Sequence, residues 1–366
     1  MRDMIIFNNH NDHFPSSSRH LIKCLRNIGR VIWVDIHHEY AAANSQPCRH
    51  SEHFLSKSEK FFYGFTQSRH IFVEMNQVSP IHSAKERQEA IQRILQVLQP
   101  VLRKHHVSAP IIWTSELYIA DLQSHLSGAS LVYYCNEESV ADTVTDTQLK
   151  FEQEQTMVRN ANVIFCSNDI ICSRFPRNKT LLLPQAVDTE LFCQPTVIAH
   201  DMPKQDKPIA GFYGELDDHI DYQLLYYSAL NLPDWNFLFI GKNKLSNYPL
   251  PRLANIHYLG PKPHCDLPSY SQHWQASLLP YKREIVPPLT IETTLLEYLA
   301  VGAPIITTST YCIKSYTKYI NVVESAHEMS EALRLATYEQ KTPSDLVISD
   351  SWQVRSNFVS RILENL

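Results

Sequence analysis

Glycine is scarce in this chain, with eight residues in 366, at positions 29, 64, 128, 211, 214, 241, 260 and 302. That scarcity removes the glycine-rich phosphate cradles. No GxGxxG follows the first apolar run, which counts against a dinucleotide-dependent dehydrogenase, and no GxxxxGK[ST] is present, which excludes a P-loop. GxSxG is missing as well, so there is no nucleophile elbow. The eight cysteines (24, 48, 135, 166, 172, 193, 265, 312) form no CxxC, and several lie in apolar runs such as VIFCS; they read as reduced core residues. Histidine is plentiful at 18, yet neither HExxH nor a comparable spacing occurs, so no metal site and no cofactor are expected.

Long hydrophobic runs are also absent. Nothing reaches the roughly 18 apolar residues that a membrane span needs. The N-terminus, MRDMIIFNNHNDHF, turns polar after a few apolar residues and does not read as a secretory signal. With 44% apolar and 19% charged residues, the expectation is a cytoplasmic globular protein with no nucleic-acid partner. Its length exceeds the usual ceiling for a single core, so two domains are expected.

Charge is unevenly spread. Residues 1–110 hold 14 Lys and Arg against 9 Asp and Glu, a net of +5 in a chain whose total is −5, which leaves −10 for the rest. Part of the basic excess falls on one candidate helix, SSSRHLIKCLRNIGR (Arg19, Lys23, Arg26, Arg30), and part around the aromatic stretch SKSEKFFYGFTQSR. Two readings are open: a solvated helix face and loop, or a surface resting on an anionic membrane, which would make the protein peripheral on the inner face of the cytoplasmic membrane.

What is present is an alternation of strand and helix patterns. Short β-rich runs occur at 3–8, 30–35, 70–74, 111–114, 131–135, 163–167 and 180–184, with helical periodicity clearest in SAKERQEAIQRILQVLQPVLRKHH. The segment 194–207, rich in Pro and charge, reads as a linker. The alternation then restarts at 209–214, 236–241, 255–260, 276–280 and 304–308, with helices at 220–230, 291–301 and 326–340. Continuous apolar strands in βα alternation predict buried parallel sheets, hence an α/β protein with two Rossmann-like halves. Four of the last five glycines end or follow a strand, where the backbone must turn sharply or approach a ligand closely.

The runs GFYGELDDHIDYQLL, LPDWNFLFIG, NIHYLGPKPHCDLPSY, ASLLPYKREIV and LLEYLAVGAPIITT resemble the nucleotide-sugar-binding half of GT-B glycosyltransferases. Among these, the resemblance is to the bacterial enzymes that build capsular, exopolysaccharide and lipopolysaccharide chains. NVIFCSNDII and LLLPQAVDTELF are similar to the segments that lead toward the interdomain connection in that group. The likeness spans about 160–310 and is topological only over 1–130. It implies a GT-B fold, two Rossmann-like parallel-sheet domains facing a cleft. Residues 1–193 would form the acceptor domain, 208–345 the nucleotide-sugar domain, and 346–366 a helix packing back toward the first.

The resemblance implies a transferase moving a hexose from a nucleotide diphosphate sugar, with UDP favoured, to a hydroxyl of a lipid-linked glycan. Glu297 stands where relatives bind the ribose hydroxyls, and a carboxylate accepts two vicinal donors well. It is expected at the helix edge, where its loss would leave folding almost untouched. Gly214 and Glu215 would lead into a helix N-terminus able to take a diphosphate. Gly241, Tyr281, Lys282 and Arg283 follow other strand ends, with Thr290 as a helix cap and Glu292 as a first-turn carboxylate. Leu289 and Thr294 occupy positions where relatives carry Glu or Lys. Glu137 and Glu138, in VYYCNEES, are the candidate general bases, and His20 is a weaker candidate on the acceptor side. A non-catalytic GT-B binding or assembly protein and a nucleotide-sugar 2-epimerase are the alternatives.

Overall fold

The computed structural model describes residues 1–9, 17–40, 51–53, 69–79, 81, 83–135, 144–204, 206–247, 249–250, 252–283, 290–308, 314–339 and 341–366. The chain divides into two compact units. One comprises 1–12, 21–184 and 356–366; the other comprises 13–20 and 185–355.

The first unit is built on an eight-stranded sheet. Its strands are β1 (Met4–Asn9), β2 (Val31–Tyr40), β3 (Ser51–His53), β4 (His70–Ser79), β5 (Ile111–Thr114), β6 (Ser130–Cys135), β7 (Val163–Cys166) and β8 (Thr180–Leu182), in the order β3-β4-β2-β1-β5-β6-β7-β8. Every pairing is parallel except β3 with β4, which is antiparallel at the edge. Ile5, Ile32, Ile112, Leu131 and Ile164 are completely buried, as strands covered on both faces require.

The helices of this unit include α1 (Ser17–Cys24), α2 (Ala84–Lys104) and α3 (Val144–Asn160). Helix α2 starts where Ser83 accepts a hydrogen bond from the Glu86 amide. Its buried stripe, Ile91, Ile94, Leu95, Leu98 and Leu102, follows the helical period and supplies the core against the sheet. The basic helix read from the sequence is shorter than expected. It ends at Cys24, so Arg26 and Arg30 lie beyond it, and Arg30 is tied to Asp3 at 3.2 Å. Most of the aromatic stretch beside it lies outside the described residues.

Inside this unit Trp33 Nε1 donates to His70 Nδ1 at 3.0 Å. Burial, together with the neighbouring charge of Arg69, pushes the His70 imidazole down to about 4. An indole N–H can only donate, so the acceptor nitrogen must be unprotonated. Below pH 6.5 the unfolded chain takes up a proton that the folded chain refuses. Stability is therefore expected to fall between about pH 6.5 and 4, by at most about 3 kcal/mol, and not to depend on His70 above that window. Comparing denaturation of the parent and His70→Gln, whose amide oxygen can still accept from Trp33, across this range checks the slope. An identical slope in both would refute the assignment.

The second unit carries six strands: β9 (Ile209–Tyr213), β10 (Asn236–Ile240), β11 (Ile256–Tyr258), β12 (Ala276–Leu279), β13 (Ile305–Thr307) and β14 (Ile320–Val322). They run in the order β11-β10-β9-β12-β13-β14, all parallel. Helices α4 (Tyr222–Asn231) and α6 (Ala326–Ala336) pack together, while α5 (Thr290–Val301) is buried by Ile291, Leu295, Leu296, Tyr298, Leu299 and Ala300. Gly302 closes α5 at φ +82°, where a side chain would be strained, and the chain then enters β13. Helix α7 (Trp352–Leu363) contributes its last two-thirds to the first unit, where Ser356 and Ser360 donate to the carbonyls of Cys24 and Arg26.

The boundary falls at Pro184–Gln185, and the segment 194–207 lies wholly in the second unit. It is fastened there by Thr196 to Gln272 and by Asp201 to Lys262 and Tyr270, which is why a polar, proline-rich stretch is nonetheless ordered.

Candidate functional site

In the second sheet the chain enters at β9, steps outward to β10 and β11, then crosses back to β12 on the other side of β9. The strand order reverses between β9 and β12. In open parallel sheets a ligand crevice forms at the carboxyl ends of the strands flanking such a reversal. Gly214 and Glu215 follow β9, Gly241 follows β10, and Tyr281, Lys282 and Arg283 follow β12. The topology therefore gathers along one sheet edge six of the residues singled out in the sequence.

The loops at this edge are closely fitted. Gly214 N–H donates to Ile240 O at 3.0 Å, and Gly241 N–H donates to Gly260 O at 3.0 Å. Gly241 has φ +144°, and a Cβ there would lie 1.7 Å from Gly214 O. Gly241→Ala is expected to cost about 3 kcal/mol or more, from backbone strain and the clash together. Chemical denaturation measures it; a loss under about 1 kcal/mol would show that the loops can part at little cost.

Residues 214–221 form a loop after β9, and the helix expected over 220–230 is α4, which begins at Tyr222 with Asp221 accepting from the Leu224 amide at 2.8 Å. A carboxylate already occupies that helix start, and Gly214 N–H is spent on β10. Glu215 is paired with Lys244 at 2.6 Å. Arg283 donates to Val323 O at 3.2 Å and lies 3.7 Å from Glu324. Lys282 is exposed, its backbone N–H bonded to His219 O. Tyr281 is buried, and burial beside Asp217 and Glu215 raises its phenol. Asp217, Asp218 and His219 bring their ligand atoms within 4.8 Å of one another, a clustering that the His219–Asp217 contact at 3.0 Å accounts for.

Glu297 is 3% exposed, so the carboxylate expected at the buried rim of the helix is enclosed by other side chains. Its Oε2 accepts from Tyr213 Oη at 2.8 Å, and its Oε1 lies 2.6 Å from His264 Nε2. Tyr213 is the last residue of β9, so the carboxylate stands at the carboxyl end of that strand. Burial, then the nearby Glu297, raise the Tyr213 phenol well above its ordinary value, which keeps it a donor. A carboxylate has no proton to give, so Nε2 of His264 is the donor on the other side. Tyr213 N–H in turn donates to Tyr298 Oη at 3.1 Å.

His264 opens the turn His264–Asp266 after Pro263, and its ring meets those of Phe192 and His20 edge-on, each at 5.4 Å. His20 is found in this unit: it stacks on Trp352 at 5.7 Å and lies 3.9 Å from Asp188. Neither Tyr213 nor His264 stood out in the sequence. A tyrosine in an apolar strand and a histidine between prolines carry no pattern of their own.

Helix α5 begins at Thr290, whose side chain lies outside the described residues. Glu292, in its first turn, is half-buried, with no hydrogen bond or ion pair among the described residues, and burial raises its carboxyl. Glu137 and Glu138 lie outside the described residues; β6 ends just before them, at Cys135.

This architecture is the GT-B fold. The similar solved structures include an α,α-trehalose-phosphate synthase (UDP-forming) of Burkholderia xenovorans in complex with glucose-6-phosphate, with TM-score 0.66 and 10% identity over all of both chains. HepE of Anabaena, in complex with UDP and glucose, has TM-score 0.64 and 10% identity, again over both whole chains. The trehalose-6-phosphate protein of E. coli bound with UDP-2-fluoro glucose has TM-score 0.63 and 11% identity, covering 100% of this chain and 99% of that one. Among curated proteins the chain is 24% identical over 208 residues to the "Putative teichuronic acid biosynthesis glycosyltransferase TuaH" of Bacillus subtilis, 51% of this chain. The match spans about half the length of that relative, 52%. No protein-family model matches the chain. The resemblance to GT-B glycosyltransferases read from the sequence is thus borne out in the fold and in the relative.

Proposed function

We propose that the protein is a glycosyltransferase that moves a hexose from a UDP-sugar to a hydroxyl of a lipid-linked glycan in bacterial surface polysaccharide synthesis. The observation that carries this reading is the Glu297 carboxylate, held from two sides at the carboxyl end of β9, where the strand order reverses. Two of its roughly four lone-pair sites are taken by Tyr213 and His264, which leaves two for the vicinal hydroxyls of a ribose. The UDP and UDP-sugar named with similar folds, and the polysaccharide role named for the curated relative, support the donor and acceptor classes.

In this reading Lys282 offsets charge on the leaving diphosphate, and Glu292 takes a hydroxyl of the donor sugar. Glu137 or Glu138 removes the acceptor proton as the new glycosidic bond forms. Among the described residues no helix is long and apolar enough to cross a membrane. The second reading is a binding protein, on the ground that Leu289 and Thr294 stand where members of the resembled family carry Glu or Lys.

Mass spectrometry of a panel of UDP- and GDP-sugars, incubated with the purified protein and lipid-linked glycan acceptors, tests the proposal. Acceptor-dependent hexose addition with release of UDP is expected. A sugar isomerised without acceptor would make it an epimerase, and binding without turnover an assembly protein.

A further inference from the structure

We infer that His264 is a positioning residue that makes the nucleotide site selective for a ribose carrying its 2′-hydroxyl. The inference rests on the proposed role of Glu297. A carboxylate on a flexible side chain accepts from one hydroxyl as readily as from two, because it can rotate to suit whichever donor is present. Glu297 cannot: Tyr213 fixes Oε2 at 2.8 Å, and His264 fixes Oε1 at 2.6 Å. With both oxygens held, the plane of the carboxylate is set and its remaining lone pairs point in fixed directions. A diol that matches them gains two charge-assisted hydrogen bonds; a sugar lacking one hydroxyl leaves a buried acceptor unsatisfied, and the carboxylate has no freedom to turn toward another partner.

His264 is itself held in place. Phe192 and His20 meet its ring edge-on from two elements, the turn Thr189–Phe192 and the first turn of α1, and Pro263 fixes the backbone before it. Its side chain is 9% exposed, against 4% for Glu297. A side chain so constrained transmits orientation to the carboxylate without touching the nucleotide.

Calorimetric titration of UDP and of 2′-deoxy-UDP into the parent, His264→Gln, His264→Asn and Glu297→Gln tests this, with thermal melts confirming that each variant folds. The Gln amide reaches the place of Nε2, whereas the Asn amide falls short. The parent is expected to prefer UDP by at least about 10-fold, the value of one hydrogen bond to a charged group. His264→Gln should keep most of that preference, and His264→Asn should lose most of it. A purely structural role would weaken both ligands equally and leave the ratio unchanged. If His264→Asn folds and keeps the parent ratio while Glu297→Gln abolishes it, the positioning role is overturned and the ribose role of Glu297 stands. If the parent shows no preference, or Glu297→Gln preserves it, both readings fall.

Discussion

Replacing Glu297 by Ala is expected to weaken UDP binding by roughly 10- to 150-fold, the equivalent of about 1.5–3 kcal/mol for charge-assisted hydrogen bonds to the ribose. It is also expected to destabilise the fold. The side chain is 3% exposed and is the acceptor for both Tyr213 Oη and His264 Nε2. Truncation leaves two buried donors unpaired, each costing about 1–3 kcal/mol if nothing relaxes to meet it. A loss of about 2–4 kcal/mol, or roughly 5–15 °C in the melting temperature of the second unit, follows. Glu297→Gln keeps the volume and one acceptor oxygen, so its loss of stability should be smaller while its loss of affinity remains. Titration well below the melting point, with scanning calorimetry of each variant, separates the two effects. Parent-like UDP affinity in folded Glu297→Gln would remove the ribose role, and a parent-like melt of Glu297→Ala would contradict the buried network.

The second large effect concerns turnover. Glu137→Gln is expected to lower the rate of transfer by at least about 100-fold while UDP affinity stays within about 2-fold, since general base catalysis contributes ~10²–10⁴ to the reaction and nothing to nucleotide binding. The motive is placement in the chain: β6 ends at Cys135, and these are the first carboxylates after it. Steady-state kinetics with varied acceptor checks it. Full activity in Glu137→Gln would transfer the role to Glu138, and full activity in the double variant would exclude both.

The strands of both units were legible because each is a nearly continuous apolar run, as strands buried on two faces must be. IAGFY, NFLFI and ASLL are buried along their whole length. Strands β3 (SEH) and β14 (INV) were not legible: both are three residues long and lie at sheet edges, where burial no longer selects composition. The order of strands cannot be read from runs alone, yet it is the order that locates the crevice. Helix α5 was legible around Glu297, whereas the partners of its carboxylate were not. Leu295, Leu296, Leu299 and Ala300 define an apolar stripe, and nothing in them reports that Tyr213 and His264, 84 and 33 residues away in sequence, each bond one oxygen of the carboxylate.

A structure of the UDP complex is the most direct test. The account predicts the nucleotide at the carboxyl ends of β9 and β12, with both ribose hydroxyls within about 3 Å of the Glu297 carboxylate while Tyr213 and His264 remain bonded to it. A ribose lying elsewhere, or a Glu297 carboxylate closed off by Tyr213 and His264 and untouched by the nucleotide, would contradict it.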